Sequence, residues 1–324
     1  MEYLLIRLGI VGAGTIVQSH IDAARLSGFA PVAICGRMGS PRAAKIAQQN
    51  KGLVAVSDLN DLLKSKLDAI LIAVSIGETI DVLEKCLVGR LPILVEKPVS
   101  TDERILQKLY HRWGDQVLVG YNRRHYSSTK KFRETLAIKE KGLIGVNISE
   151  LSLASQITKE ERRQAILTNS VHILDLMNYL FGDIRLLNTI KSPKSTRLHF
   201  LTWQFESSKG YCGNINLLFG TPENQSVTQW SKSFFQELRP IEMYSSSDSM
   251  HMIPPTKNNP VKSYKKILQP WLMSEVDLKV KPGFLGEYSE FRELCLGKKM
   301  DKRISANLQD AANAVKIAHK IYSL

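Results

Sequence analysis

Lys97 lies between a carboxylate and a proline, in Val95-Glu96-Lys97-Pro98, directly after the apolar run 93–95. At the carboxyl end of a parallel strand, such a lysine stands where open α/β sheets bind their ligands. Its ammonium can stabilise a developing alkoxide, or act as an acid or base if its pKa is lowered. Glu-Lys-Pro is also a common tripeptide, and a surface lysine paired with Glu96 is the plain alternative. His172 is the second chemical candidate. It opens the apolar stretch 172–181, whose core face is Ile173, Leu174, Leu176, Met177 and Leu180. An imidazole can give or take a proton near neutral pH, although a lone histidine beside an apolar helix is more often structural.

A third constellation is built to bind an anion. Gly9-Ile10-Val11-Gly12-Ala13-Gly14-Thr15-Ile16-Val17 follows one apolar run and opens a helical pattern. Gly12 permits a tight turn, and Gly14 lets the backbone approach a pyrophosphate that the amides of Thr15 and Ile16 and the helix dipole would stabilise. Val17 stands where a third glycine is usual, so the match is partial and draws its weight from the strand before it and the alternating pattern after it. The next apolar run ends in Ala33-Ile34-Cys35-Gly36-Arg37. An NAD-binding domain usually presents an acid there to the ribose 2′-hydroxyl. Gly36, followed by Arg37, Ser40 and Arg42, instead favours a 2′-phosphate, hence NADP(H) as the preferred cofactor with NAD(H) also acceptable. Stacking of Arg37 on the adenine is the other reading.

The elements that must hold these residues follow from hydrophobic patterning. Apolar runs 5–11, 31–35, 69–74, 93–95 and 117–119 alternate with helical segments 41–49, 58–64, 79–87 and 102–113. Strands apolar on both faces, separated by helices, predict a doubly wound parallel α/β sheet of Rossmann type. Past Gly120 the rhythm changes to longer, partly alternating strand patterns at 144–153, 197–205, 211–218 and 225–234, with the helix 172–181 among them and an amphipathic helix at 307–321. Those patterns predict a C-terminal α+β domain on a large, mainly antiparallel sheet. The chain thus divides into a dinucleotide-binding domain, 1–121, and a second domain, 122–324. The proline-rich stretch 250–263 reads as a loop.

A length of 324 residues suits two domains. The longest apolar runs fall far below the roughly 18 residues of a membrane helix. The N-terminus lacks the basic start and small-residue cleavage site of a secretory leader, so the expectation is a soluble, cytoplasmic protein. Four cysteines, Cys35, Cys86, Cys212 and Cys295, form no C-x-x-C pair, and neither a zinc site nor a disulfide framework is expected. The net charge of +13 comes from basic pairs scattered along the chain, with no nucleic-acid-binding motif beside them. It fits a solvated basic surface first and a phosphorylated or nucleotide-linked substrate second.

In order along the chain, these motifs resemble the Gfo/Idh/MocA oxidoreductase family. Gly12-x-Gly14-x-Ile16 with His20 resembles its first loop, and Glu96-Lys97-Pro98 its Glu-Lys-Pro signature. Gly120-Tyr121-Asn122-Arg123-Arg124 resembles the strand end that follows. His172-x-x-Asp175 is similar to its His-x-x-Asp helix start, and Gly283-Phe284 through Leu308-Gln309-Asp310-Ala311 to its C-terminal segment. The resemblance implies hydride transfer between nicotinamide and a hydroxyl or keto carbon of a sugar, cyclitol or nucleotide-linked sugar. It implies that Lys97 holds the reacting oxygen, that Lys97 or His172 handles its proton, and that Glu96 and Lys97 line the nicotinamide pocket.

Ser75 would join the cofactor site, Val74-Ser75 and Thr79 replacing the family's customary Thr-Pro and His. Asn122, Arg124 and Asn169 would contact substrate, unless an arginine merely pairs with a carboxylate. Many members carry an aspartate four residues before the histidine; here it is Thr168, leaving Asn169 or Asp175 to orient the imidazole. A homo-oligomer, dimer or tetramer, is implied. Other readings on the same scaffold are a non-catalytic NADP-binding regulator and an NAD-dependent glycosidase.

Overall fold

The computed structural model describes residues 5–38, 40–138, 144–153, 159–191, 198–220, 235–238, 241–244, 249–252 and 280–323. They separate into two compact units. The first comprises residues up to His125 together with those from 280 to Asn313; the second takes the remainder. The division anticipated after residue 121 therefore has a return crossing, in which a late segment comes back to the first unit.

Six strands form the first unit's sheet: β1 (Ile6–Val11), β2 (Phe29–Cys35), β3 (Val54–Val56), β4 (Ala69–Ile72), β5 (Ile93–Val95) and β6 (Val117–Val119). Their order is β3-β2-β1-β4-β5-β6, parallel throughout. β4, β5 and β6 are buried along their whole length, as strands covered on both faces must be. Between the strands run α1 (Val17–Leu26), α2 (Arg42–Gln49), α3 (Leu59–Lys64), α4 (Ile76–Leu87) and α5 (Glu103–Trp113). Local chemistry starts two of them: the carboxylates of Asp58 and Asp102 accept from the backbone N–H of Asp61 and Arg104, capping α3 and α5. Strand order reverses between β1 and β4. In sheets of this order, ligands bind in the crevice at the carboxyl ends of the strands flanking that reversal.

The first unit is completed from the far end of the chain by α9 (Phe284–Cys295), and the boundary between the units falls within α10 (Leu308–Ser323). Phe291 stacks on Phe29 of β2 at 5.4 Å between ring centroids, and Tyr288 meets the same ring edge-on at 5.4 Å. Burying each such ring is worth about 1.5–3 kcal/mol, so α9 is part of this unit's core.

In the second unit α6 (Ser127–Ile138) precedes β7 (Ile144–Leu153), then come α7 (Lys159–Ala165), a π-helical stretch Ile166–Ser170 and α8 (Val171–Phe181). β8 (Ile184–Lys191), β9 (Leu198–Ser207), β10 (Tyr211–Gly220), β11 (Phe235–Leu238), β12 (Ile241–Tyr244) and β13 (Ser249–Met252) follow. With β7 they make a seven-stranded sheet in the order β13-β12-β7-β10-β9-β8, β11 pairing also with β7. Only the β7–β10 pairing is parallel, in accord with the mainly antiparallel expectation. The apolar face of α8 is buried through Ile173, Leu174, Leu176, Met177, Leu180 and Phe181, and Trp203, Phe205, Ile215 and Leu217 of the sheet are also buried.

Residues 250–252, read from the sequence as the start of a loop, belong to β13. The rest of that stretch, and the strand anticipated at 225–234, lie outside the described residues. No helix among the described residues is long and apolar enough to cross a membrane, and no group of three or more His, Cys, Asp or Glu among them could hold a metal ion.

Candidate active site

The glycine loop joins β1 to α1 at the carboxyl edge of the first sheet. Gly12 has φ +117°, and a Cβ there would stand 2.1 Å from the Ala73 carbonyl oxygen, so the turn accepts no other residue without moving β4. At Gly14 an added Cβ would meet nothing within 4 Å; the backbone is open to a ligand there. The N-terminus of α1 has neither a side-chain cap nor an acidic residue in its first turn, which leaves its positive dipole end to an anion. Val17, in place of the third glycine, is fully buried in the core. A cavity of about 860 Å³ opens beside this loop, within the size range of cofactor sites. Gly12, Gly14, Thr15, Ile16, Arg37 and Ser75, all anticipated as cofactor residues, line it. The residues present fit a dinucleotide.

At the end of β2 the guanidinium of Arg37 donates from Nε and Nη2 to both carboxylate oxygens of Glu78, each at 3.1 Å. Glu78 sits in the first turn of α4 and also accepts from the Ser75 hydroxyl. The hydrogen bond from Arg37 and then that from Ser75 hold the Glu78 carboxyl below its ordinary value. Thr79 is buried and its hydroxyl donates to the Ser75 carbonyl at 3.1 Å.

Glu96 and Lys97 follow β5, one strand beyond β4 at the same sheet edge. The Lys97 backbone N–H donates to Glu96 Oε2 at 3.1 Å, and the Lys97–Pro98 peptide is cis. Behind them runs a chain of hydrogen bonds: Glu96 Oε1 to His20 Nε2 at 2.9 Å, and His20 Nδ1 to the Tyr288 hydroxyl at 3.2 Å. Burial pushes Glu96 up, but the His20 hydrogen bond and the attraction of His20, Lys97 and Lys281 outweigh it and leave the carboxyl below its usual range. An ionised Glu96 accepts the proton on Nε2, and the ring's other nitrogen meets the tyrosine hydroxyl. Burial, followed by the charges of Glu287 and Glu96, raises Tyr288 well above the ordinary phenol, and it keeps its proton.

Glu287, one residue earlier on α9, is fully buried, and neither carboxylate oxygen has a hydrogen-bond partner among the described residues. Burial first and Glu96 second push its pKa well up, against a smaller opposing pull from Lys281. Neither Tyr288 nor Glu287 carries a local sequence signal: Tyr288 meets His20 across a separation of 268 residues.

Asn122 and Arg124, anticipated as substrate contacts, are buried. Asn122 Nδ2 donates to the Pro282 carbonyl at 3.0 Å; Arg124 donates to the Ser305 carbonyl at 3.1 Å and pairs with Asp310 at 3.2 Å. Arg124 thus pairs with a carboxylate of its own unit, and both residues fasten the returning segment to the stretch that follows β6. His172 belongs to the second unit, in the first turn of α8 and partly exposed. The π-helical stretch immediately before it carries Thr168 and Asn169; the Thr168 hydroxyl donates to the Gln164 carbonyl at 2.8 Å. Asp175, one turn on, is buried.

Residues 6–121 match the model of the oxidoreductase family described as NAD-binding Rossmann fold, Gfo/Idh/MocA. An inositol 2-dehydrogenase of Corynebacterium glutamicum is 29% identical over 201 residues, 60% of this chain and 59% of its own length. The rhizopine catabolism protein MocA of Rhizobium meliloti is 28% identical over 192 residues, 55% of this chain and 57% of its own. The aligned part therefore spans less than two thirds of these relatives. Among solved structures, a Lactobacillus casei myo-inositol dehydrogenase in complex with NAD(H) and myo-inositol superposes with a TM-score of 0.69, at 18% identity, over 97% of this chain and 93% of that one. That likeness concerns the fold.

Proposed function

We propose that the chain, whose residues 6–121 match the Gfo/Idh/MocA family model, is an oxidoreductase of that family and interconverts a hydroxyl and a keto group on a cyclitol, sugar or nucleotide-linked sugar. It uses a nicotinamide dinucleotide, prefers NADP(H) and also accepts NAD(H). The observation that carries this reading is the cavity beside the glycine loop, whose wall includes Gly12, Gly14 and Arg37, on the same sheet edge as Glu96 and Lys97. Gly36 in the place of the usual acid, with Arg37, Ser40, Arg42 and Lys85 in the cavity wall, supports the NADP(H) preference. Relatives named as inositol dehydrogenases support the substrate class.

Gly12, Gly14, Thr15 and Ile16 would hold the pyrophosphate, and Arg37 and Ser75 the adenosine side. Bound there, the nicotinamide ring supplies or accepts the hydride. The ammonium of Lys97 holds the reacting oxygen and favours its alkoxide form. The hydroxyl proton passes to Lys97 or His172. Glu96 fixes the turn that presents Lys97 by accepting its backbone N–H. The test is a screen of inositols, free sugars, polyols and nucleotide sugars with both cofactors, read as nicotinamide absorbance. Turnover of a cyclitol or sugar is expected. Tight cofactor binding without turnover of any of them would oppose the enzyme reading.

A further inference from the structure

The cavity beside the glycine loop is not basic, although the chain carries a net charge of +13. Its wall holds Arg37, Arg42 and Lys85, but also Asp58, Glu78 and Asp81. Asp58 is occupied in capping α3. Glu78 is occupied differently: it takes the Nε/Nη2 side of Arg37, a cation of the cavity wall able to meet a 2′-phosphate. The acid that an NAD-binding domain places at the end of its second strand would be crowded here. A Cβ at Gly36 would lie 3.3 Å from the Ala43 Cβ and 3.4 Å from the Ala13 Cβ. The carboxylate on Arg37 comes instead from the first turn of α4, 41 residues along the chain.

We propose that Glu78 is a specificity-determining residue for the dinucleotide, competing with a 2′-phosphate for Arg37 and so setting the ratio of NADP(H) to NAD(H) binding. The proposal rests on the reading of this cavity as a dinucleotide site. A guanidinium fork satisfies one bidentate acceptor at a time. A phosphate that takes the Nε/Nη2 side of Arg37 must displace Glu78, and one that takes the Nη1/Nη2 end lies beside the Glu78 carboxylate; either way two anions meet. A ribose 2′-hydroxyl makes no such demand; it leaves the pair intact and finds an acceptor in Glu78. The side chains of Arg37 and Glu78 are 73% and 44% exposed, so the pair is weak and exchangeable. Glu78 tempers a preference for NADP(H) without abolishing it.

Calorimetric titration of the full chain with NADP+ and NAD+ tests this on the wild type, Glu78→Gln, Arg37→Ala and the double variant, with Glu78→Ala as a second probe of the same position. Glu78→Gln is expected to tighten NADP+ binding roughly tenfold while moving NAD+ by less than about threefold, and the gain should vanish when Arg37 is also replaced. Unchanged or weaker NADP+ binding in both Glu78 variants overturns the proposal, since Glu78 would then orient Arg37 for the phosphate or have no part in selection. If the wild type binds neither dinucleotide, the reading of the cavity falls and the proposal falls with it.

Discussion

His20 and Glu96, one on the helix that follows the glycine loop and the other on the turn that presents Lys97, are joined by a hydrogen bond of 2.9 Å. The helix after the glycine loop and the turn that carries Lys97 are therefore linked by this contact, and Tyr288 meets the ring at its other nitrogen. His20→Ala removes the hydrogen-bond partner of a largely buried carboxylate, and should cost about 1–3 kcal/mol of stability. Because Glu96 titrates below its ordinary value when folded, its contribution is complete above the unfolded pKa and is lost as pH falls through the folded one. The deficit of His20→Ala in denaturant midpoint should therefore be full at neutral pH and shrink under acid conditions. A deficit that does not vary with pH would mean that the ring acts by packing alone.

Glu287 has the opposite sign. Its folded pKa is raised, so the folded protein binds the proton more tightly than the unfolded chain. The associated stability is complete below the unfolded value of about 4.3 and is lost as pH rises towards the folded pKa. Glu287→Gln keeps the shape and removes the ionisation. Its thermal midpoint should exceed that of the wild type, by more at pH 8 than at pH 5. Equal midpoints at both values would mean that the carboxyl has a partner that compensates its burial.

Lys97→Ala should lower turnover by about a hundredfold or more and leave dinucleotide affinity nearly unchanged, because the ammonium acts on the substrate oxygen and not on the phosphates. Steady-state rates beside calorimetry separate the two. A rate like the wild type would reduce Glu-Lys-Pro to a structural turn.

His172→Ala should lower turnover substantially. Thr168 lies four residues before it, and its hydroxyl is turned to the Gln164 carbonyl, so no carboxylate from that position stabilises an imidazolium. Thr168→Asp is expected to supply one and to raise the apparent pKa of the pH-rate profile. If His172→Ala leaves both rate and profile as they were, the proton belongs to Lys97 alone.

Much of the first unit was legible because its strands are buried on both faces: 93–95 and 117–119 read as apolar runs and are β5 and β6 to the residue. β3 escaped because it is three residues long and exposes Val54, too little for a periodic signal. β8 escaped for another reason. It is an edge strand whose Leu187 and Ile190 are exposed, so its apolar residues do not sort to one face. Of the site, the glycine loop and Arg37 follow from local spacing and lie in the cavity wall. Glu78 and Tyr288 could not be found that way, since each meets its partner through tertiary contacts 41 and 268 residues distant. Asn122 and Arg124 read as ligand residues because polar groups after a strand usually face a cleft; their partners in the returning segment lie 160 and 181 residues away and leave no local signal.

That returning segment also imposes an order of events at the ribosome. The sheet from β1 to β6 is synthesised early, yet Tyr288 and Phe291, which cover Phe29, emerge only after the intervening second unit. At about 5–20 residues per second, the wait is on the order of ten to thirty seconds. Throughout it, the nascent nucleotide-binding half presents an uncapped apolar flank, including Phe29, to whatever chaperone or neighbouring chain is at hand.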